Sequence, residues 1–327
     1  PDLKLLWLAA IVGRELDLKV LEGLSDRDLE SWLVTCNQCG VLDVDGDLWR
    51  FSHDKLRQGA LSMIPGASRP ALHRQVAEAM EAVYGDQPER AAVLAQHWGQ
   101  AQEWVKERIY LQRAGEHALQ ISAFESAIRR FKRALDLLEI TLQPDEDIRV
   151  LRADLLLRLG EALKYTGDYG EARSYLEQAL ELRLAVGDQS GIALVMLELG
   201  DLTIYLGDYG LARRLCEDSL LLYRQLDHQT GTARALDRLG LVLFHQGDYA
   251  GAVRYCDEAL TLSRALHDQK GIASAINNLG MAAFAQGDYP AASRYFQETL
   301  AITQASGERR RAAAALLNLG SAAGAQD

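Results

Sequence analysis

Hydrophobic and polar positions recur every 40 residues over residues 150–320. A Leu-Gly pair occurs at Leu159-Gly160, Leu199-Gly200, Leu239-Gly240, Leu279-Gly280 and Leu319-Gly320. A Gly-Asp-Tyr triplet begins at Gly167, Gly207, Gly247 and Gly287, and an Ala and then a Leu follow each triplet at fixed distances. Self-similarity at a fixed period of this length is typical of stacked supersecondary units. The pattern predicts helical hairpins, each with one A helix and one B helix.

The residues between the helices support this prediction. Gly167 is suited to the left-handed backbone after an A helix, and Asp168 is suited to cap the B helix that follows. Gly160 and Ala172 are small enough for the two helices of one hairpin to cross closely. Cys216 and Cys256 occupy equivalent positions in successive units, and we expect this column to be core.

The pattern resembles the tetratricopeptide repeat (TPR), in a form of about 40 residues rather than 34. The resemblance implies an all-α fold, a right-handed TPR superhelix of 40-residue hairpins. We predict the regular array over residues 143–327. Weaker matches between about 89 and 142 predict irregular hairpins, and residues 65–142 are therefore assigned to a helical connector.

Residues 1–64 do not repeat. An apolar helix is predicted around Leu5–Ile11, and Asp45-Gly46 between alternating apolar residues is typical of a two-residue β-hairpin. The order helix, helix, hairpin, helix predicts a small winged-helix domain with one β-hairpin.

This segment resembles the winged helix that follows the nucleotide-binding core in STAND-class (NLR-like) NTPases, and the likeness is most specific over Phe51–Arg57. The resemblance implies that His53 and Asp54 sense nucleotide in a longer parent protein, which would bind ADP or ATP through an upstream domain. The chain itself is expected to hold no cofactor. From the residues alone, His53 could equally be a surface histidine near a helix start.

Composition narrows the classes of partner. The formal charge is −11, from 46 acidic and 35 basic residues, and the acids are spread along the chain. This balance argues against nucleic-acid binding and against an anionic membrane surface. No apolar run reaches the roughly 18 residues that a membrane span needs. The first residues, PDLKLLWLAA, favour a fragment of a longer cytoplasmic protein.

Sequence motifs for catalysis are absent. The chain has no G-x-x-x-x-G-K-[ST] loop, no H-E-x-x-H and no G-x-S-x-G, and its seven histidines lack metal-ligand spacing. Cys36 and Cys39 are expected to be buried, inert thiols on a helix, because no second pair completes a zinc site. We therefore predict a protein that is not an enzyme.

Family resemblance also predicts a groove lined by A helices. In this family, ligands contact A-helix positions whose residues here vary from unit to unit. The selected residues are Tyr165, Leu197, Asp201, Tyr205, Arg234, Asp237, Arg238, Phe244, His245, Asn277, Met281 and Phe284. The alternative is that they pack against the neighbouring A helix. The family's carboxylate clamp is incomplete: Arg234 and Arg238 fit it, but Asp201 stands at a position where the clamp needs Asn.

Taken together, these features predict the ligand-sensing arm of a signal-transducing STAND NTPase. A protein or peptide trigger would bind in the groove, release autoinhibition and allow the parent to oligomerise. The alternative is a constitutive TPR scaffold without a nucleotide switch. DNA binding by the winged helix ranks low, because Asp43, Asp45 and Asp47 on its hairpin oppose phosphate.

Overall fold

The computed structural model describes residues 2–25, 28–46, 48–141 and 146–325. The chain divides into two units, residues 1–143 and residues 144–327, and each is described by itself. The predicted boundary at residues 142–143 and the hairpin residue Asp47 lie outside the described residues.

The described residues of the first unit form helices and one β-hairpin. Its elements are α1 (Leu3–Val12), α2 (Leu18–Glu22), α3 (Leu29–Gln38), β1 (Leu42–Asp45), β2 (Leu48–Phe51), α4 (Asp54–Ser62), α5 (Arg69–Tyr84), α6 (Ala91–Gln100), α7 (Trp104–Gln120) and α8 (Phe124–Thr141). The strands pair antiparallel with Asp45 opposite Leu48, and Gly46 takes the positive φ that a tight turn requires. The predicted hairpin is confirmed, but Asp45 is the last residue of β1 and not part of the turn.

A further backbone contact broadens this small sheet. The Leu16 amide donates to the Trp49 carbonyl at 2.7 Å, and the Phe51 amide donates to the Arg14 carbonyl at 3.0 Å. Residues 14–16 therefore run beside β2.

Two apolar clusters among the described residues of the first unit share helix α1. One packs α1 and α3 against the hairpin through Leu5, Trp32, Leu42 and Phe51. The other packs Leu8 of α1 with residues of α5, α6 and α7. Residues 1–64 and 65–141 thus share apolar packing, and the division at residue 64 stays a prediction.

The second unit consists of alternating A and B helices. The A helices are α9 (Glu146–Thr166), α11 (Gln189–Tyr205), α13 (Gln229–His245), α15 (Gln269–Ala285) and α17 (Arg309–Gly324). The B helices are α10 (Tyr169–Val186), α12 (Tyr209–Gln225), α14 (Tyr249–Ala265) and α16 (Tyr289–Ala305). The starts of the B helices, and of the A helices from α11 onward, step by 40, as the sequence period predicts, whereas α9 begins 43 residues before α11. Neighbouring A helices also pack directly against one another, which makes the A helices the inner layer of a TPR-like superhelix.

The junctions within each hairpin follow the predicted stop-and-start chemistry, with one exception. Gly167 and its three equivalents all have φ between 78° and 90°. The side chains of Asp208, Asp248 and Asp288 each accept a hydrogen bond from the amide three residues further on. The predicted cap by Asp168 is wrong: its carboxylate instead accepts a hydrogen bond from the Thr166 hydroxyl at 2.7 Å.

Glycine in the Leu-Gly pair allows the close crossing of A and B helices. A Cβ at Gly160 would lie 2.7 Å from Cγ of Leu176, and one at Gly280 would lie 2.6 Å from Cε1 of Phe296. At Gly320 nothing lies within 4 Å of that position, because no described B helix packs there.

The cysteine predictions are mixed. Cys216 and Cys256 are buried against Gly200 and Gly240, respectively, so the predicted core column is confirmed. Cys36 is also buried. The prediction for Cys39 is wrong, because Cys39 follows the last residue of α3 and its side chain is exposed.

Candidate functional site

The predicted groove residues lie on the faces of α9, α11, α13 and α15 that meet in the inner layer, and we call this surface the inner wall. Leu197, Asp201 and Asp237 are buried. Tyr165, Arg238, Phe244, Asn277, Met281 and Phe284 are half-buried. Tyr205, Arg234 and His245 are exposed. The structure therefore brings the set together, but only part of it is open to solvent.

Charged side chains on the inner wall pair across neighbouring A helices. Lys164 Nζ lies 3.1 Å from Glu198 Oε2 and also contacts the Asp201 carboxylate. Arg234 Nη2 lies 2.9 Å from Glu198 Oε1, and Arg238 Nε lies 3.3 Å from Asp201 Oδ1. We call Lys164, Glu198, Asp201, Arg234 and Arg238 the charge ladder. Each carboxylate in it contacts two cations.

The polar contacts continue onto the next helix. Ser274 Oγ donates to Asp237 Oδ2 at 2.7 Å, and Asn278 Nδ2 donates to Asp237 Oδ1 at 2.8 Å. Asn318 Nδ2 then donates to Asn277 Oδ1 at 3.1 Å. Hydrogen bonds and ion pairs thus link all five A helices along the inner wall.

Pairing fixes the ionisation of the charge ladder. Burial opposes the charge on Lys164, but Glu198 and Asp201 outweigh it and raise the pKa of the ammonium group. Burial likewise opposes the charge on Asp201, but Arg238 and Lys164 hold the pKa of its carboxyl below its usual range. The ladder is therefore ionised throughout the physiological pH range.

Several polar residues that were predicted to contact a ligand thus bind other residues of the array. Asp201, Asp237 and Arg238 bind neighbouring A helices, as expected if these positions serve packing within the array. Replacing one of their partners would lower the free energy of unfolding more than the loss of an exposed ion pair would. The reason is that a buried charge would be left without an opposite charge beside it. A role for these three in ligand contact stays a prediction.

Aromatic residues form pairs at the ends of the A helices. Tyr205 stacks on Tyr169 with ring centroids 5.9 Å apart, and His245 stacks on Tyr209 at 5.0 Å. Phe244 and Phe284 contact the tyrosines that begin the following B helices, Tyr249 and Tyr289, respectively. Tyr205 is still 49% exposed. These rings present apolar surface, and contacts with neighbouring rings hold them in place.

A pocket of about 340 Å³ opens beside the charge ladder. Its lining includes Leu194, Tyr223 and Arg234, and the ion-paired Arg183 and Asp154. His228 also lines it and accepts a hydrogen bond from the Gly231 amide at 2.9 Å through Nδ1. The pocket combines apolar and charged groups, as a site for one side chain of a peptide would.

The two predicted nucleotide-sensing residues lie at the start of α4. His53 is the residue before the helix, makes no side-chain cap and is exposed. Asp54 is exposed and accepts a hydrogen bond from Gln58 at 2.8 Å. Both side chains are available to a neighbouring domain, and their role stays a prediction.

Five residues of the inner-wall network were not among the predicted site residues: Lys164, Glu198, Ser274, Asn278 and Asn318. Their pairs have sequence separations of 34, 36, 37 and 41 residues. These separations are close to the repeat period, so a search for complementary polar residues about one period apart would have found them. The 145-residue separation of Tyr165 and Arg310, whose guanidinium lies over the Tyr165 ring, carries no such pattern.

Among the described residues, no three His, Cys, Asp or Glu side chains are placed to hold a metal ion. None of the described helices has the length and apolar character to span a bilayer.

Comparison with known families defines the class of protein. The tetratricopeptide repeat model matches residues 151–225, 191–265, 231–305 and 271–327. These segments cover more than half of the chain, and the chain therefore belongs to the tetratricopeptide repeat family. It carries a TPR protein-interaction domain. No curated protein matches the sequence.

Two solved structures with similar folds are informative. One is a signal transduction ATPase with numerous domains (STAND) from Pyrococcus horikoshii with a tetratricopeptide repeat sensor; the TM-score is 0.51 at 16% identity, over 98% of this chain and 54% of that chain. The present chain thus spans about half the length of that protein. The other is aspartyl phosphate phosphatase F from Bacillus subtilis, with a TM-score of 0.55 at 16% identity over 81% of this chain and 73% of that chain. At these identities the likeness concerns the fold alone.

Proposed function

We propose that this chain is the non-catalytic ligand-sensing arm of a signal-transducing STAND ATPase. A protein or peptide trigger binds the inner wall, and binding releases autoinhibition of an upstream nucleotide-binding domain. The observation that carries the proposal is the inner wall itself, where constant helix packing presents varied and partly exposed residues such as Tyr205, Arg234 and His245.

The chemistry of the inner wall suits a peptide. Aromatic and Arg side chains are common binding anchors. Tyr205 and Phe244 are held by stacked or tilted ring contacts, so little side-chain entropy is lost when a ligand covers them. The adjacent pocket of about 340 Å³ offers a place for one ligand side chain.

The order of segments supports the nucleotide switch. Three helices, a β-hairpin and a fourth helix precede the TPR array, and residues 14–16 run beside the hairpin as a third strand of a winged helix would. The Pyrococcus protein with a similar fold is a STAND ATPase whose TPR domain is called a sensor. In this proposal His53 and Asp54 face the nucleotide-binding domain of the same chain and favour the ADP-bound off state.

Peptide binding to the inner wall is tested with a peptide selected from a random display library. We expect Tyr205→Ala with Phe244→Ala to weaken its binding at least about tenfold, because buried aromatic anchors each contribute about 1 kcal/mol or more. Leu221→Ala is the matched control, since Leu221 is a B-helix side chain that is 57% exposed. Equal binding by the double variant and the wild type would exclude this surface.

The switch is tested in a longer chain that includes the nucleotide-binding domain. Ligand should accelerate ADP release, since a ligand shifts an equilibrium only through its different affinities for the two states. His53→Ala should release ADP faster without ligand, whereas Lys55→Ala, an exposed neighbour on α4, should not. Ligand binding with an unchanged rate of ADP release would favour the constitutive scaffold. The internally paired charge ladder would give such a scaffold a rigid wall.

A further inference from the structure

The first and last described A helices of the array touch across the inner wall. The guanidinium carbon of Arg310, in the first turn of α17, lies 3.9 Å from the ring centroid of Tyr165, near the end of α9. Lys164 Nζ lies 5.3 Å from the same centroid. The Arg310 separation is well within the range of a cation–π interaction. This contact connects the first and fifth regular repeats, which are not neighbours in the stack.

The packing of adjacent repeats does not by itself explain the contact between Arg310 and Tyr165. Extensive helix packing in the array joins helices of the same or adjacent repeats, for example α9 with α10 and α14 with α15. The contact between Arg310 and Tyr165 instead spans the groove through a long, exposed arginine side chain. A rotamer change at Arg310 can break it without unpacking any hairpin.

We propose that Arg310 and Tyr165 form a releasable latch that closes the inner wall between the first and fifth repeats. When the latch is closed, Tyr165 is covered by the array's own cation. When it opens, the guanidinium no longer covers the ring. In a second step, a peptide that binds the inner wall opens the latch. This second step rests on the proposed function, whereas the closure between the two repeats does not.

Distances between spin labels on the two repeats measure closure directly. Labels are placed at Glu181→Cys and Ala323→Cys, which are exposed positions on α10 and α17. The exposed Cys39 is first changed to serine. Cys36, Cys216 and Cys256 can remain, because all three are buried and burial raises the pKa of each thiol.

Variants separate the latch from general loosening. Arg310→Ala and Tyr165→Leu should each lower the closed-to-open ratio about two- to fivefold, the effect of losing one exposed cation–π contact. Their distance distributions should become broader and longer. Tyr165→Phe keeps the ring and should stay close to wild type, as should Arg309→Ala, which removes the neighbouring exposed arginine. Identical distributions in the wild type and Arg310→Ala, or equal shifts in Arg309→Ala and Arg310→Ala, would overturn the latch.

The selected peptide tests the second step in the same labelled protein. Binding should shift the wild-type distribution toward that of Arg310→Ala, and Arg310→Ala should bind the peptide about two- to fivefold more tightly, since it no longer has to break the contact. Peptide that binds the inner wall without moving the distribution would overturn ligand release. Failure of any peptide to bind the inner wall would overturn the proposed function, while the distance comparison among the variants would still decide closure.

Discussion

Gly280→Ala is expected to destabilise the array, and Gly320→Ala is its matched control one period further on. Both residues follow Leu in the repeated Leu-Gly pair on an A helix. At Gly280 a Cβ would lie 2.6 Å from Cε1, 2.9 Å from Cδ1 and 3.1 Å from Cζ of Phe296. At Gly320 nothing lies within 4 Å.

The magnitude follows from two opposing effects. Replacing a mid-helix Gly by Ala stabilises a helix by about 1 kcal/mol. At Gly280 this gain competes with overpacking, which typically costs about 1–3 kcal/mol. Phe296 is 2% exposed, so its ring has little room to move and we take the cost in the upper part of that range, about 2–3 kcal/mol. We expect Gly280→Ala to lose about 1–2 kcal/mol. Gly320→Ala should gain up to about 1 kcal/mol, because only the helix preference changes.

Hydrogen exchange followed by mass spectrometry is the suitable assay, because repeat arrays need not unfold in a single step. Amides of α15 and α16 should exchange about five- to thirtyfold faster in Gly280→Ala, the equivalent of 1–2 kcal/mol. Amides of α17 should exchange no faster in Gly320→Ala. Equal effects of the two substitutions, or slower exchange in Gly280→Ala, would refute the close helix crossing.

Three further predictions concern the cap, the ladder and a buried histidine. Asp248→Ala should cost about 1 kcal/mol because its carboxylate caps α14, whereas Asp168→Ala should cost less because it caps nothing; thermal unfolding of the two variants compares them. Lys164→Met should lower the free energy of unfolding by about 3 kcal/mol and raise the pKa of Asp201, because a buried carboxylate loses one of its cations. Urea unfolding measures the first effect, and NMR titration of the carboxyl measures the second. An unchanged Asp201 pKa would contradict the charge ladder. Burial and the nearby His73 lower the pKa of His97 from 6.5 to about 4, so the folded state keeps this imidazole neutral. The free energy of unfolding should therefore fall by up to about 3 kcal/mol as the pH drops from 6.5 toward 4. His97→Gln should flatten that part of the pH profile measured by urea unfolding.

The repeat architecture could be predicted because its determinants are local and periodic. Gly167 and its equivalents specify where an A helix ends, and the glycine of each Leu-Gly pair specifies where the B helix crosses. Each requirement is visible at one residue and recurs every 40 positions. The failed cap at Asp168 shows the limit of this logic, since Thr166 two residues earlier competes for the same carboxylate.

The inner-wall contacts were harder to predict because they depend on register between helices. The residues at the family's ligand-contact positions could be selected, but the sequence pattern does not show which of them bind a neighbouring helix. Asp201 and Arg238 are paired because side chains 37 residues apart face each other on adjacent A helices. The Arg310–Tyr165 contact depends on the accumulated twist of four repeats, which no local pattern encodes.

If the inner wall of the TPR array is the ligand surface, a saturating library-selected peptide should slow hydrogen exchange in the A helices α11, α13 and α15 and change it little in the B helices α12, α14 and α16. Slower exchange confined to the B helices, or to residues 2–141, would show that the ligand binds elsewhere.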